Sequence, residues 1–191
     1  MAMFVQTEVT PNPATLKFLP HVTVMSEGTQ FYQDPSSAGN SILAQKLFEI
    51  NGVESVFYGQ DFITISKSES ADWIIMKPAI VGAIIDQFSS GKPLISEKQW
   101  TKQYHEDKHS VKDTDSEVVV QIKKILDNKV RPAVAMDGGD IIFERYENGW
   151  IWLEMQGACS GCPSSTATLK SGIENMMKHC IPEVRGVRSA S

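Results

Sequence analysis

The sequence predicts an α+β protein of two small domains, each a short sheet with two helices packed on it, joined by a polar linker. Three observations lead there. In both halves, short strand-like runs of β-branched and aromatic residues are interleaved with segments whose apolar residues recur at helical spacing. A stretch from Ser96 to Ser116, rich in Lys, Asp, Glu and Ser, separates the halves, and its large apolar residues Trp100, Tyr104 and Val111 follow no sustained period. With 191 residues, 41% of them hydrophobic, the chain can bury one medium core or two small ones. The expected boundaries are a first domain over 1–95, a flexible linker over 96–115 and a second domain over 116–191.

In the first half, Phe4 to Val9 and Phe18 to Val24 read as strands around the turn Thr10-Pro11-Asn12-Pro13. Ile42, Leu43, Leu47 and Ile50 mark a helix that stops at Asn51-Gly52. Val53 to Tyr58 and Phe62 to Ser66 form a hairpin around Gly59-Gln60-Asp61. Ile80, Val81, Ile84, Ile85 and Phe88 mark a second helix with Pro78 in its first turn. The order is β-β-α-β-β-α.

In the second half, Thr114-Asp115-Ser116-Glu117 fits a capping box. The helix behind it carries Val118, Val119, Ile122, Ile125 and Leu126 and is expected to end at Arg131-Pro132. Asp137-Gly138-Gly139-Asp140 reads as a turn into a strand from Ile141 to Tyr146, so Asp137 and Asp140 are taken as turn formers rather than paired acids. Asn148-Gly149 signals a hairpin returning through Trp150 to Met155. Leu169, Ile173, Met176 and Met177 mark the last helix.

Composition excludes several function classes. A formal net charge of −5 is wrong for a nucleic-acid partner. No apolar run approaches the roughly 18 residues that span a bilayer. Met1 to Thr10 carry neither a basic n-region nor an arginine-rich transit composition. Three cysteines are too few, and odd in number, for a disulfide scaffold, so the thiols are expected reduced.

The chemistry centres on Cys159-Ser160-Gly161-Cys162, followed by Pro163 and a helix. Free N–H groups and the positive helix end would face these thiols, an arrangement expected to lower their pKa and stabilise a metal–thiolate unit. Two thiols are only half of the four-thiolate shell that zinc or an iron–sulfur cluster takes. Either the pair does redox chemistry alone, as in a thioredoxin-like thiol–disulfide oxidoreductase, or a second copy supplies the other half, around a cluster or a structural zinc. Ala158 before the motif, where that reductase family usually has an aromatic, weighs against the reductase. His105-Glu106-Asp107-Lys108-His109 matches the zinc-protease pattern but sits in the polar linker and reads as solvated. Cys180 continues the apolar face of Ile173 and Met176 and is expected to be a small buried hydrophobe, with His179 exposed beside it. Trp150 and Trp152 share a strand face opposite Ile151, Leu153 and Met155, and suggest cover by the first domain, the linker or a partner.

The ordered set Arg131-Pro132-Ala133-Val134, Asp137-Gly138-Gly139-Asp140, Gly157 to Ser165 and Gly172 to Val184 resembles the NifU-like (NFU) iron–sulfur scaffold domain. Gln6-Thr7-Glu8, Thr10 to Pro13, Thr15 to Phe18 and Gly59 to Thr64 resemble the N-terminal domain that accompanies it in some members. The resemblance implies a non-enzymatic carrier that binds a 4Fe–4S cluster through Cys159 and Cys162. It implies a cluster bridging two subunits of a homodimer, delivery to apo iron–sulfur proteins, and upstream assembly factors as further partners, with no nucleic acid and no membrane. Cys180 has no ligand role there. A cytoplasmic bacterial chain is the expected setting, with the mitochondrial matrix after transit-peptide removal as the alternative.

Overall fold

A computed structural model describes residues 4–95, 111–112, 114–160 and 163–190, apart from the side chains of residues 163–165. The chain divides into two compact units, Met1–Thr101 and Lys102–Ser191. Most of the expected linker, including the His105–His109 pattern, Trp100 and Tyr104, lies outside the described residues. Among the described residues no helix is long and apolar enough to cross a membrane. Both units are sheets with helices, the mixed α+β class that the residue pattern predicts.

The first unit runs β1 (Gln6–Val9), β2 (Thr15–Leu19), β3 (Gln30–Tyr32), a 3-10 turn (Pro35–Asn40), α1 (Ile42–Phe48), β4 (Val53–Tyr58), β5 (Ile63–Lys67) and α2 (Trp73–Ser89). Its sheet is antiparallel throughout, in the order β1-β2-β5-β4-β3. Alternation along the strands sends Leu16, Phe18, Val56, Tyr58, Ile63 and Ile65 into one core with Leu43, Leu47, Ile80 and Ile84 of the helices.

Three details depart from the sequence reading. The second strand lies earlier than Phe18 to Val24 because Pro20 has no donor and His21 turns the chain with φ 56°. A third strand, β3, is three residues long and pairs Phe31 with Phe57, too short to show a period. The second helix starts at Trp73, capped by the Asp72 carboxylate, which accepts from Ile74 N at 2.8 Å, so Pro78 sits inside it.

The second unit runs α3 (Glu117–Ile125), a wide π turn (Leu126–Val130), α4 (Arg131–Met136), β6 (Gly139–Glu147), β7 (Trp150–Gly157), α5 (Pro163–Cys180) and β8 (Gly186–Ser189). Ser116, not Thr114, caps α3 by accepting from Val119 N, and Asp115 instead pairs with Lys123 at 2.8 Å. The helix does not stop at Arg131-Pro132. Arg131 N–H bonds Leu126 O, five residues back, and Pro132 falls in the first turn of α4, where its missing donor costs little. Asn148 (φ 52°) and Gly149 (φ 84°) make the tight β6–β7 hairpin, and β8 then adds parallel to β7. Ile122, Leu126, Ile141, Phe143, Ile151, Leu153, Ile173 and Met177 form the core between this sheet and its helices. On the opposite face Arg145 stacks over Trp152 at 4.1 Å and Arg188 over Trp150 at 4.0 Å, so arginines of the same unit cover the two indoles.

Burial gives the first unit an alkaline limit. Tyr32 and Tyr58 pack edge to face at 5.3 Å, and Ser41 Oγ meets Tyr58 Oη at 3.0 Å. Burial raises both phenols well above their ordinary value. The unfolded chain therefore releases these protons first, so stability is intact below about pH 10 and falls above it. The loss is at most about 1.4 kcal/mol per pH unit for each phenol. Denaturant unfolding at pH 9, 10 and 11 should show this slope, reduced in the double variant Tyr32→Phe/Tyr58→Phe; an equal slope in both proteins contradicts the assignment.

Candidate functional site

The end of β7 and the start of α5 bring the chain back beside the beginning of β6. Gly139 pairs with Gly157 in the ladder, and Ala158 N donates to Gly138 O at 3.1 Å. Gly157 adopts φ 63°, a left-handed turn that a side chain would strain, and it releases the chain from the strand. Ser160 N and Oγ both donate to Gly157 O, at 3.1 and 2.8 Å, and Thr166 Oγ1 donates to Cys159 O at 3.0 Å. Cys159 is thereby held between strand and helix by bonds to its neighbours on both sides.

Cys159 is buried, 5% exposed, and its sulfur rests on Gly139. A Cβ built on Gly139 would stand 2.6 Å from Cys159 Sγ and 2.6 Å from Gln156 O. Only a glycine leaves room for the sulfur there.

The electrostatics reverse the expectation of a lowered thiol pKa. Burial pushes the Cys159 thiol up to about 12, with the carboxylates of Asp137 and Asp140 adding to the rise. Cys159 is therefore a protonated thiol at neutral pH. Gly161 and Cys162 lie outside the described residues, so the placement of Cys162 beside Cys159 stays an expectation from the motif.

Asp140 is more than a turn former. It opens β6 and its buried carboxylate takes a two-pronged bond from Arg131, with Nε to Oδ1 at 2.9 Å and Nη2 to Oδ2 at 2.8 Å. Arg131 also reaches Asp127 at 3.2 Å. Sequence reasoning missed the pair, because nine positions and a change of element separate the partners. Cys180 is exposed at the end of α5, not buried as expected: the buried line runs through Ile173, Met177 and Ile181, and Cys180 falls beside it. His179 is exposed, as expected. Among the described residues no three His, Cys, Asp or Glu side chains gather to hold a metal. The donor set that remains is one cysteine of a CxxC pair, chemically suited to iron or zinc but incomplete within the described part of one chain.

Comparison with known proteins places these features in context. Residues 5–91 match the family described as scaffold protein Nfu/NifU N terminal, and residues 122–188 match the NifU-like domain. A protein of Drosophila persimilis named NFU1 iron-sulfur cluster scaffold homolog, mitochondrial, is 48% identical over 187 residues, 97% of this chain and 64% of that protein. Its namesake in Drosophila virilis is 49% identical over 187 residues, 97% of this chain and 61% of that protein. The chain thus spans less than two thirds of the length of these curated relatives. The solution structure of a NifU-like protein from Saccharomyces cerevisiae is 30% identical, covers 50% of this chain and 87% of its own, and superposes with a TM-score of 0.46.

Two glycines of the second unit should behave oppositely. Gly139→Ala forces Cys159 or the β7 backbone to move and should destabilise the second unit by about 1–3 kcal/mol. Gly172→Ala, in the middle of α5 with nothing within 4 Å of the added carbon, should stabilise it by about 0.5–1 kcal/mol. Denaturant unfolding monitored at the second unit checks both; equal effects would contradict the packing described.

Proposed function

The chain belongs to the Nfu/NifU-like scaffold family, and from that premise we propose that it is an iron–sulfur cluster carrier. A 4Fe–4S cluster is its cargo, held by four thiolates, Cys159 and Cys162 from each of two chains, and passed on to apo iron–sulfur proteins after upstream assembly factors have supplied it. The observation that carries this reading is the place of Cys159: the first thiol of the CxxC motif, at the strand-to-helix loop of the unit that matches the NifU-like domain, with Gly139 leaving room for its sulfur.

Loading is a ligand exchange. Each cysteine gives up its S–H proton to solvent as its sulfur takes iron, and no electrons move. Release runs the other way, with a recipient thiolate replacing one carrier thiolate at a time. A site that supplies two ligands per chain can be dismantled stepwise more easily than a four-cysteine pocket in one chain. No step makes or breaks a substrate bond, so the role is that of a carrier and not of an enzyme.

The raised pKa of Cys159 favours this over a thiol–disulfide oxidoreductase. A reductase needs a nucleophilic thiolate near neutral pH, and its attacking cysteine is normally lowered rather than raised. A metal site tolerates the high pKa because the metal itself drives the proton off. The name shared by the curated relatives includes "mitochondrial", which favours the matrix setting over the cytoplasmic one.

Anaerobic reconstitution with iron and sulfide tests the proposal. It should give a brown protein with about four irons per two chains. Cys159→Ala and Cys162→Ala should each abolish the colour, whereas Cys180→Ala should keep it. A colourless zinc dimer, or a cluster that survives loss of Cys159, would sink the assignment.

A further inference from the structure

We propose that Arg131 is a positioning residue for Cys159, acting through Asp140 to turn a buried carboxylate at the start of β6 into a neutral ion pair. The proposal rests on the reading of Cys159 as a ligand, and it assigns a role to groups that touch neither cargo nor recipient.

Two independent features point to Arg131. The first is charge. Asp140 follows Gly139, the residue on which Cys159 Sγ rests, and its side chain is only 5% exposed. Both of its oxygens bond Arg131, and Oδ1 also accepts from Ile141 N at 2.8 Å. An iron–sulfur or metal unit held by thiolates carries negative charge, and a bare buried carboxylate one residue from Gly139 would oppose it. The guanidinium, always charged and matched to a carboxylate by its fork, offsets part of that opposition.

The second feature is the wide turn Leu126–Val130. It adds one residue to the helical repeat just before Arg131, whose N–H reaches five residues back to Leu126 O. One added residue rotates everything after it by about 100° around the helix axis. Ile122 and Leu126 before the turn, and Val130 and Val134 around it, remain in the core, while Arg131 swings toward the start of β6. The irregular turn thus has a local consequence: it aims the guanidinium at Asp140 without giving up the apolar face. Asp127, on the same turn, holds the guanidinium from the other side at 3.2 Å.

If charge neutralisation is the role, removing the second charge should rescue removal of the first. Cobalt(II) serves as probe, because its thiolate complexes absorb visibly and no sulfide is needed. In anaerobic titrations of the full apo chain, Arg131→Met should weaken cobalt binding on the order of tenfold. Arg131→Met/Asp140→Asn should recover to within about threefold of the parent, although the ion pair is still absent. Arg131→Lys, which keeps the charge but loses the fork, should also bind near the parent. After reconstitution with iron and sulfide, iron loss to a chelator should rank the variants in the same order.

Circular dichroism melts of each apo variant separate binding from folding. Parent-like binding by Arg131→Met overturns the proposal. So does a folded double variant that binds as weakly as Arg131→Met, and so does a lysine variant as weak as the methionine one. Cobalt binding in the expected order, with no cluster formed by the parent, would uphold this role and overturn the carrier reading. A cluster that forms and is retained regardless of residue 131 would overturn this role alone.

Discussion

The close approach of Cys159 to Gly139 is the constraint on which the second unit's chemistry depends. It places a sulfur where the first β6 residue would otherwise carry a side chain, and it requires the ladder to be in register at Gly139 and Gly157. That register is set by the Asn148-Gly149 turn together with the bulge between Phe143 and Arg145, and is held by alternation that sends Ile141, Phe143, Ile151 and Leu153 to the core. A slip of one residue would expose this apolar set and separate glycine from cysteine together. Core packing and thiol placement are therefore one problem with one solution.

The same contact explains an apparent contradiction. The loop has the composition of an anion site, yet its first thiol is buried and holds its proton well into the alkaline range. Burial costs the free thiolate its solvation, so the empty chain keeps an unreactive cysteine and avoids adventitious disulfide chemistry. On the proposed carrier reading, metal–sulfur bonding would replace the lost solvation. Burial in the first unit is devoted to aromatic and aliphatic packing around Tyr32 and Tyr58.

Legibility from sequence followed the range of the interaction. Local signals were readable: the Asn148-Gly149 turn, the apolar face of Ile122 and Leu126, and the β4–β5 hairpin each depend on residues close in the chain. Elements set by partners far away were not. β3 has only three residues and exists because β4 offers it an edge, and β8 returns to β7 after a whole helix. Proline misled twice in the same way. Pro78 lies within α2 and Pro132 within a helical run, because caps and a wide turn moved the boundaries around them. At the site, the cysteine motif was legible as a pattern, but the sign of the Cys159 shift was not, since it depends on burial against Gly139 and on two carboxylates from another element. Cys180 failed for a related reason: helical spacing names a broad face, and the line that is buried, Ile173, Met177 and Ile181, runs beside it.

Native mass spectrometry of the anaerobically reconstituted full chain tests the central claim, a cluster shared by two half-sites, most directly. The expected species has the mass of two chains plus a single 4Fe–4S unit, and it should separate into apo monomers when the iron is chelated. A single chain carrying a complete cluster, or a dimer whose added mass is zinc, would contradict it.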